Sequence, residues 1–165
     1  MADLHIEDFY RDVAKTLLHL YGTFPTKTIL YVEDISGPDE PDEFGLHNPR
    51  FNACFSAMVW LSEQGYLTFD DVIGREALDQ AVLTRHSFLL LTAMSYCAGD
   101  DEGSAASDDT RESAAASELP ASIAATLQSN VMQLRNAVRS ASSIRIKNCV
   151  RALLAHPPVT ATSSA

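Results

Sequence analysis

Four carboxylates lie close together in one stretch of the chain, at Asp39, Glu40, Asp42 and Glu43. Carboxylate oxygens are hard ligands that suit calcium or magnesium ions, so this spacing could form a cation site. The stretch has neither the ligand spacing nor the central glycine of an EF-hand loop. We therefore interpret residues 36–47, which also contain two prolines, as a solvated acidic loop that holds no metal ion.

Histidines and cysteines give no sign of a catalytic or metal site. The five histidines lack a paired His or Cys at ligand spacing: His5, His19, His47, His86 and His156. The chain also lacks a Gly-x-Ser-x-Gly motif, a P-loop and a dinucleotide fingerprint. Cys54, Cys97 and Cys149 are widely spaced and mostly flanked by apolar residues, so we expect buried thiols in a reducing compartment. The sequence predicts no catalytic residue and no cofactor, although an enzyme site assembled from distant residues would leave no local motif.

Positive charge is concentrated near the C-terminal end. Residues 1–118 hold 7 basic and 22 acidic residues, a balance of −15, whereas residues 119–165 hold no acid and five cations: Arg135, Arg139, Arg145, Lys147 and Arg151. These cations could contact nucleic acid, anionic lipid or an acidic protein surface, or dock on the chain's own acidic part. Because no aromatic residues are interleaved with them, we favour them as a protein-binding surface, in cis or between subunits.

Apolar spacing predicts the elements that position these groups. Apolar residues at spacings of three and four predict a helix from Leu4 to Tyr21, closed by Gly22. A β-branched and aromatic run predicts a strand at Thr28–Val32. A second apolar stripe predicts a helix that begins at Pro49 and runs to Gly65.

The next segment alternates between strand and turn signals. It predicts a strand over Tyr66–Phe69, a polar turn over Asp70–Glu76, a return strand over Ala77–Leu83 and a helix over Arg85–Tyr96. Thr84 is suited to cap that closing helix. We expect Trp60 and Phe88 to lie in the core between the third helix and the closing helix.

The segments Asn52–Leu67 and Val82–Leu91 resemble winged helix-turn-helix proteins. The first resembles their third helix entering the wing through a Leu-x-x-x-Gly-Tyr-Leu turn, and the second resembles the return strand and closing helix. The resemblance implies an α+β fold, a winged-helix-like domain with a small antiparallel wing, over about residues 4–96. A winged helix also needs a second helix where this chain has the acidic loop 36–47. That helix is very short, or the resemblance does not extend through this region.

The charge on the third helix argues against the usual role of this fold. In winged-helix proteins that bind DNA, the third helix enters the major groove and basic side chains neutralise phosphates. Residues 48–64 offer only Arg50 as a cation, offset by Glu63. The expected wing is also mainly acidic. We therefore expect this face to repel phosphate, which disfavours DNA binding by residues 1–97.

Changes in composition predict four regions. Residues 1–97 form the winged-helix-like domain, 98–118 an acidic Ser/Ala-rich linker, 119–156 a basic amphipathic segment and 157–165 a disordered tail. The basic segment is one broken helix or a helical hairpin. Proteolysis in the linker is expected to release a stable fragment near residues 1–97. The sequence shows no secretory signal and no transmembrane segment, which predicts a cytoplasmic protein.

Together these features predict a non-catalytic, acidic, winged-helix-like protein-interaction module. We expect it to act as a subunit or regulator in a larger assembly, with a protein partner or self-association through its C-terminal segment. The alternative is a DNA-binding transcriptional regulator in which the basic C-terminal segment supplies the phosphate contacts. The salt dependence of DNA affinity separates these two hypotheses.

Overall fold

A computed structural model describes residues 4–94 and 129–158 of the chain. The helices within these ranges are α1 (Leu4–Thr23), α2 (Val32–Ser36), α3 (Pro49–Glu63), α4 (Arg85–Thr92), α5 (Asn130–Arg139) and α6 (Ser143–Leu154). The strands are β1 (Thr28–Tyr31), β2 (Leu67–Thr68), β3 (Asp71–Ile73) and β4 (Ala77–Leu83). The fold is therefore of the α+β class. None of the helices in these two ranges has both the length and the hydrophobicity to cross a bilayer.

The sheet is antiparallel and is built around β4. β1 pairs with β4 so that Leu30 lies opposite Leu78, and Val72 of β3 also lies opposite Leu78. β2 pairs with the last residues of β4, with Leu67 opposite Leu83. Because side chains alternate along a strand, Leu30 is fully buried while Tyr31 is exposed on the other face of the sheet.

The β-hairpin that precedes α4 contains a strand that the sequence did not predict. Asp71–Ile73 was expected to be part of a polar turn, but it forms β3 and pairs with β4. Gly74 and Arg75 both have positive φ, and the Glu76 amide donates to the Ile73 carbonyl at 2.8 Å. Two consecutive residues with positive φ form the tight two-residue turn that joins the strands of a β-hairpin. The charged residues of this segment led the sequence to predict a turn alone, although the segment also contains a strand.

The second and closing helices also differ from the prediction. α2 is only five residues long, begins directly after β1 in the place of the last predicted strand residue, and ends at Ser36; residues 37–48 contain no helix. α4 ends at Thr92 rather than Tyr96. Beyond α4, Met94 forms an isolated β-bridge with Ser129, and the Asn130 amide donates to the Ala93 carbonyl at 2.9 Å. These bonds join the end of α4 to the start of α5.

The C-terminal segment is a helical hairpin that packs on α1. α5 and α6 contact each other, and both contact α1. Their inward side chains belong to the same hydrophobic core as α1, α3 and the sheet: Val131, Leu134, Ala137, Ile146, Cys149, Val150 and Leu153. The segment therefore docks in cis as a layer of this core. The predicted linker, residues 98–118, and the predicted tail beyond Pro158 lie outside the described residues.

Trp60 and Phe88 have other partners than the sequence predicted. Both rings are half-buried rather than at the centre of the core. Trp60 packs edge-on against Phe9 of α1, with ring centroids 5.3 Å apart. Phe88 stacks on Phe24, just after α1, with centroids 4.4 Å apart. The Trp60 ring thus packs α3 against α1, and the Phe88 ring packs α4 against the residue that follows α1.

Candidate functional site

The loop between α2 and α3, residues 37–48, contains nearly all of the predicted acidic loop and is anchored to the start of α3. The Asp39 carboxylate, whose side chain is 2% exposed, accepts hydrogen bonds from His47 Nδ1 at 2.7 Å and from the Asn48 side-chain amide. The His47 ring stacks on Phe51 with centroids 4.1 Å apart. Asn48 also caps α3 by accepting from the Phe51 amide at 2.8 Å. These contacts hold both sides of the loop against the folded core.

The loop tip, Asp42–Leu46, is fixed by four hydrogen bonds of its own. Asp42 Oδ1 accepts from the backbone amides of Phe44 and Leu46, each at 2.9 Å. The Asp42 amide donates to the Leu46 carbonyl, and the Gly45 amide donates to the Asp42 carbonyl. Gly45 has φ +75°, a conformation that glycine adopts without strain. The tip presents Phe44, 79% exposed, and Leu46, 65% exposed, to solvent.

Several carboxylates lie next to these two apolar residues in the sequence. Glu40 and Glu43 are exposed beside the tip. Oxygens of Asp39 and Asp42 are already bonded to protein donors. Across residues 4–94 and 129–158, no group of three or more His, Cys, Asp or Glu could hold a metal ion. The loop tip therefore exposes two apolar side chains in an acidic stretch of the chain.

Arg50, the only cation of α3, is held by two carboxylates of α1. Its guanidinium donates to Asp12 through both terminal nitrogens, at 2.6 and 2.5 Å, and its Nε lies 3.6 Å from Asp8 Oδ2. The Asp12 side chain is 1% exposed, and this contact raises the pKa of Arg50. Arg50 is therefore unavailable to phosphate. The exposed face of α3 carries Asn52, Ala53, Ser56 and Glu63, and so no cation.

Cys54 lies beside this ion pair but is not a nucleophile. Burial, and secondarily the charge of Asp12, raises the pKa of Cys54 to about 12. Because the thiolate is the reactive form, the protonated thiol is inert at neutral pH. Cys54 and Cys149 are both buried, as predicted, and Cys97 lies outside the described residues.

The predicted basic residues lie on the C-terminal hairpin. Arg135 is half-buried, with its guanidinium carbon 5.5 Å from the centre of the Tyr21 ring. The other four are exposed and define the basic face: Arg139, Arg145, Lys147 and Arg151. Within the part of the chain that the structure describes, none of the five forms an ion pair with a carboxylate. The hairpin therefore docks on α1 through its apolar side, and its exposed charges remain on the surface.

Two features of this surface were missed by sequence reasoning. Phe44 and Leu46 were treated only as part of an acidic loop, although two large apolar residues flanking a glycine in an acidic run were a usable signal. The contact between Asp12 and Arg50 joins residues far apart in the chain, and no local pattern marks it.

Three features of the described residues can take part in recognition: the loop tip, the exposed face of α3, which carries no cation, and the basic face. Within the described residues, none of them contains a cluster of His, Cys, Asp or Glu that could bind a metal ion. Comparisons with protein-family models, curated proteins and solved structures found no match to this chain.

Proposed function

We propose that this chain is a non-catalytic, winged-helix-like protein-interaction module, a subunit or regulator in a larger assembly, that binds through its loop tip. The observation that carries the proposal is the outward presentation of Phe44 and Leu46 on a tip fixed by four hydrogen bonds. Two large apolar side chains exposed on the same tip form a patch, and an exposed apolar patch, unlike single scattered apolar residues, marks an interaction site. Because the tip is already ordered, binding costs little conformational entropy.

The arrangement of the elements supports the winged-helix-like part of the proposal. The order α1, β1, α2, α3 and then an antiparallel wing is the order that the resemblance implies. The short α2 agrees with a very short second helix. The ion pair between Arg50 and Asp12 favours a protein partner over DNA, because it removes the one cation that α3 could offer to phosphate.

The loop tip can be tested by comparing two double variants of the full chain. Phe44→Ser with Leu46→Ser is expected to lower retention of a partner protein from native lysate by at least about 30-fold, the effect of losing a binding hot spot of ~2 kcal/mol. Leu4→Ser with Leu89→Ser is the matched control, because Leu4 and Leu89 are 69% and 52% exposed but lie elsewhere. Quantitative mass spectrometry measures the retained proteins.

Circular dichroism should show the same fold for both variants, because all four side chains are exposed. If the loop-tip variant retains the same proteins as the unmodified chain and the control, the loop tip is not the binding element.

The second candidate function is a DNA-binding regulator that uses the basic face. The observation in its favour is that Arg139, Arg145, Lys147 and Arg151 are exposed on the hairpin without a carboxylate partner in the described residues. Such cations can neutralise phosphates regardless of base sequence.

Fluorescence anisotropy with duplex DNA at about 50 and 200 mM salt separates the two functions. For an interaction module we expect at most non-specific affinity, with a Kd in the range of about 10⁻⁴ to 10⁻⁶ M that weakens steeply with salt. Changing the four basic-face residues to Gln should remove that binding, whereas the control variant Leu4→Ser with Leu89→Ser should keep it. Sequence-selective binding with a nanomolar Kd would instead establish the regulator.

A further inference from the structure

We propose that the loop tip of one copy docks on the basic face of a second copy. The inference rests on the proposed function, because it takes the loop tip as the binding element and names its partner. Its basis is the complementarity of two surfaces that one chain carries together.

The charges of the two surfaces are opposite. The loop tip contains exposed Asp42 and Glu43, and exposed Glu40 precedes it in the chain. The basic face carries four exposed cations, and none of them is paired with a carboxylate in residues 4–94 and 129–158. Opposite potentials steer two surfaces together and fix their register.

The apolar groups of the two surfaces also match. Ile144, at the start of α6, is 73% exposed. Lys147 and Arg151 follow it three and seven residues later, so all three side chains share one side of the helix. The basic face thus has an apolar residue bordered by cations, and the loop tip has two apolar residues bordered by carboxylates. This is the pattern of an apolar centre with a polar rim found in protein interfaces.

Within one copy, the acidic loop is remote from the end of α6 that carries Arg151. The acidic loop is fixed at the beginning of α3, where Asn48 caps the helix. The end of α6 lies near the other end of α3, where Tyr66 Oη donates to the Leu154 carbonyl at 3.5 Å and His86 Nε2 lies 2.7 Å from the His156 carbonyl. The 15 residues of α3 separate these points by about 22 Å.

Each copy carries both a loop tip and a basic face, so the contact is between two different surfaces. Two copies can close on each other with two such contacts, or further copies can add in a row. Because each contact involves few large apolar side chains, we expect a Kd on the order of micromolar and a strong dependence on salt.

Sedimentation velocity of the full chain from about 1 to 200 μM tests the association. At about 50 mM salt the average mass should rise with concentration, and at about 500 mM salt it should return to that of the monomer. The variant Phe44→Ser with Leu46→Ser should stay monomeric. The variant Arg145→Glu with Lys147→Glu and Arg151→Glu should also stay monomeric, while Leu4→Ser with Leu89→Ser should associate like the unmodified chain.

An equimolar mixture of the two monomeric variants gives the decisive result. The first retains an intact basic face and the second an intact loop tip, so the mixture should form a complex that neither variant forms alone. A monomeric unmodified chain, an associating loop-tip variant or a monomeric mixture would each overturn the proposal. If the unmodified chain is monomeric while the loop-tip variant still loses its lysate partner, self-docking fails and the interaction module stands. If the loop-tip variant changes neither the retention of lysate proteins nor the sedimentation behaviour, both the proposed function of the loop tip and the self-docking fail.

Discussion

A chain that ends at residue 128, before α5, is expected to lose cooperative unfolding. It would leave the side of α1 that packs on α5 and α6 open to water. Leu134, Ile146, Val150 and Leu153 are each at most 2% exposed in the full chain. Burying one such side chain contributes about 1.5–3 kcal/mol, so their joint loss is comparable to the 5–15 kcal/mol that stabilises a typical domain.

Urea unfolding followed by circular dichroism compares the truncated and full chains. The matched control is a full chain cut at a protease site inserted between residues 98 and 118, which keeps α5 and α6. We expect the cut chain to stay associated and to unfold cooperatively. A truncated chain with the midpoint of the full chain would show that the hairpin adds nothing to the core. An unchanged midpoint would also support the prediction from sequence that residues 1–97 form a stable fragment. The hydrophobic core that the hairpin shares with α1 argues against that prediction.

Replacing Arg50 with Ala is expected to lower the free energy of unfolding by about 3–5 kcal/mol, because it leaves the buried Asp12 carboxylate without its cation. Lys27→Ala is the control, since it breaks an exposed pair with Asp70 whose side chains are 49% and 59% exposed. That change should cost less than about 1 kcal/mol.

The double variant Asp12→Ala with Arg50→Ala completes the comparison. Removing both charges should cost less than the sum of the single changes, with a coupling of at least about 1 kcal/mol. If Arg50→Ala and Lys27→Ala lower the free energy of unfolding equally in chemical denaturation, the ion pair between α1 and α3 contributes no more to stability than an exposed surface pair.

The elements that the sequence predicted well have strong local signals. α1 and α3 follow apolar spacings of three and four, and α3 has a capping Asn48 followed by Pro49. β4 begins and ends at the predicted residues. In each case the residues that determine the element lie within it, so a local pattern contains the necessary information.

The features that were missed depend on contacts between distant residues. β3 has only three residues, lies in a stretch with charged residues on both sides, and forms because it pairs with β4. The hairpin of α5 and α6 was predicted as helical, but nothing in its spacing could show that α1 covers it. The candidate site also has a part that the sequence predicted and a part that it did not. The five cations could be identified from the sequence alone. The presentation of Phe44 depends on four hydrogen bonds that only the folded loop shows.

The packing of α6 on α1 has a consequence for how the chain is made. About 120 residues separate the end of α1 from the start of α6, so at translation speeds of about 5–20 residues per second the ribosome exposes α1 on the order of 10 s before α6 is synthesised. During that interval the apolar side of α1 lacks its final cover. The nascent chain is therefore expected to be a substrate for chaperones until α6 has left the exit tunnel, and to complete its core only after that point.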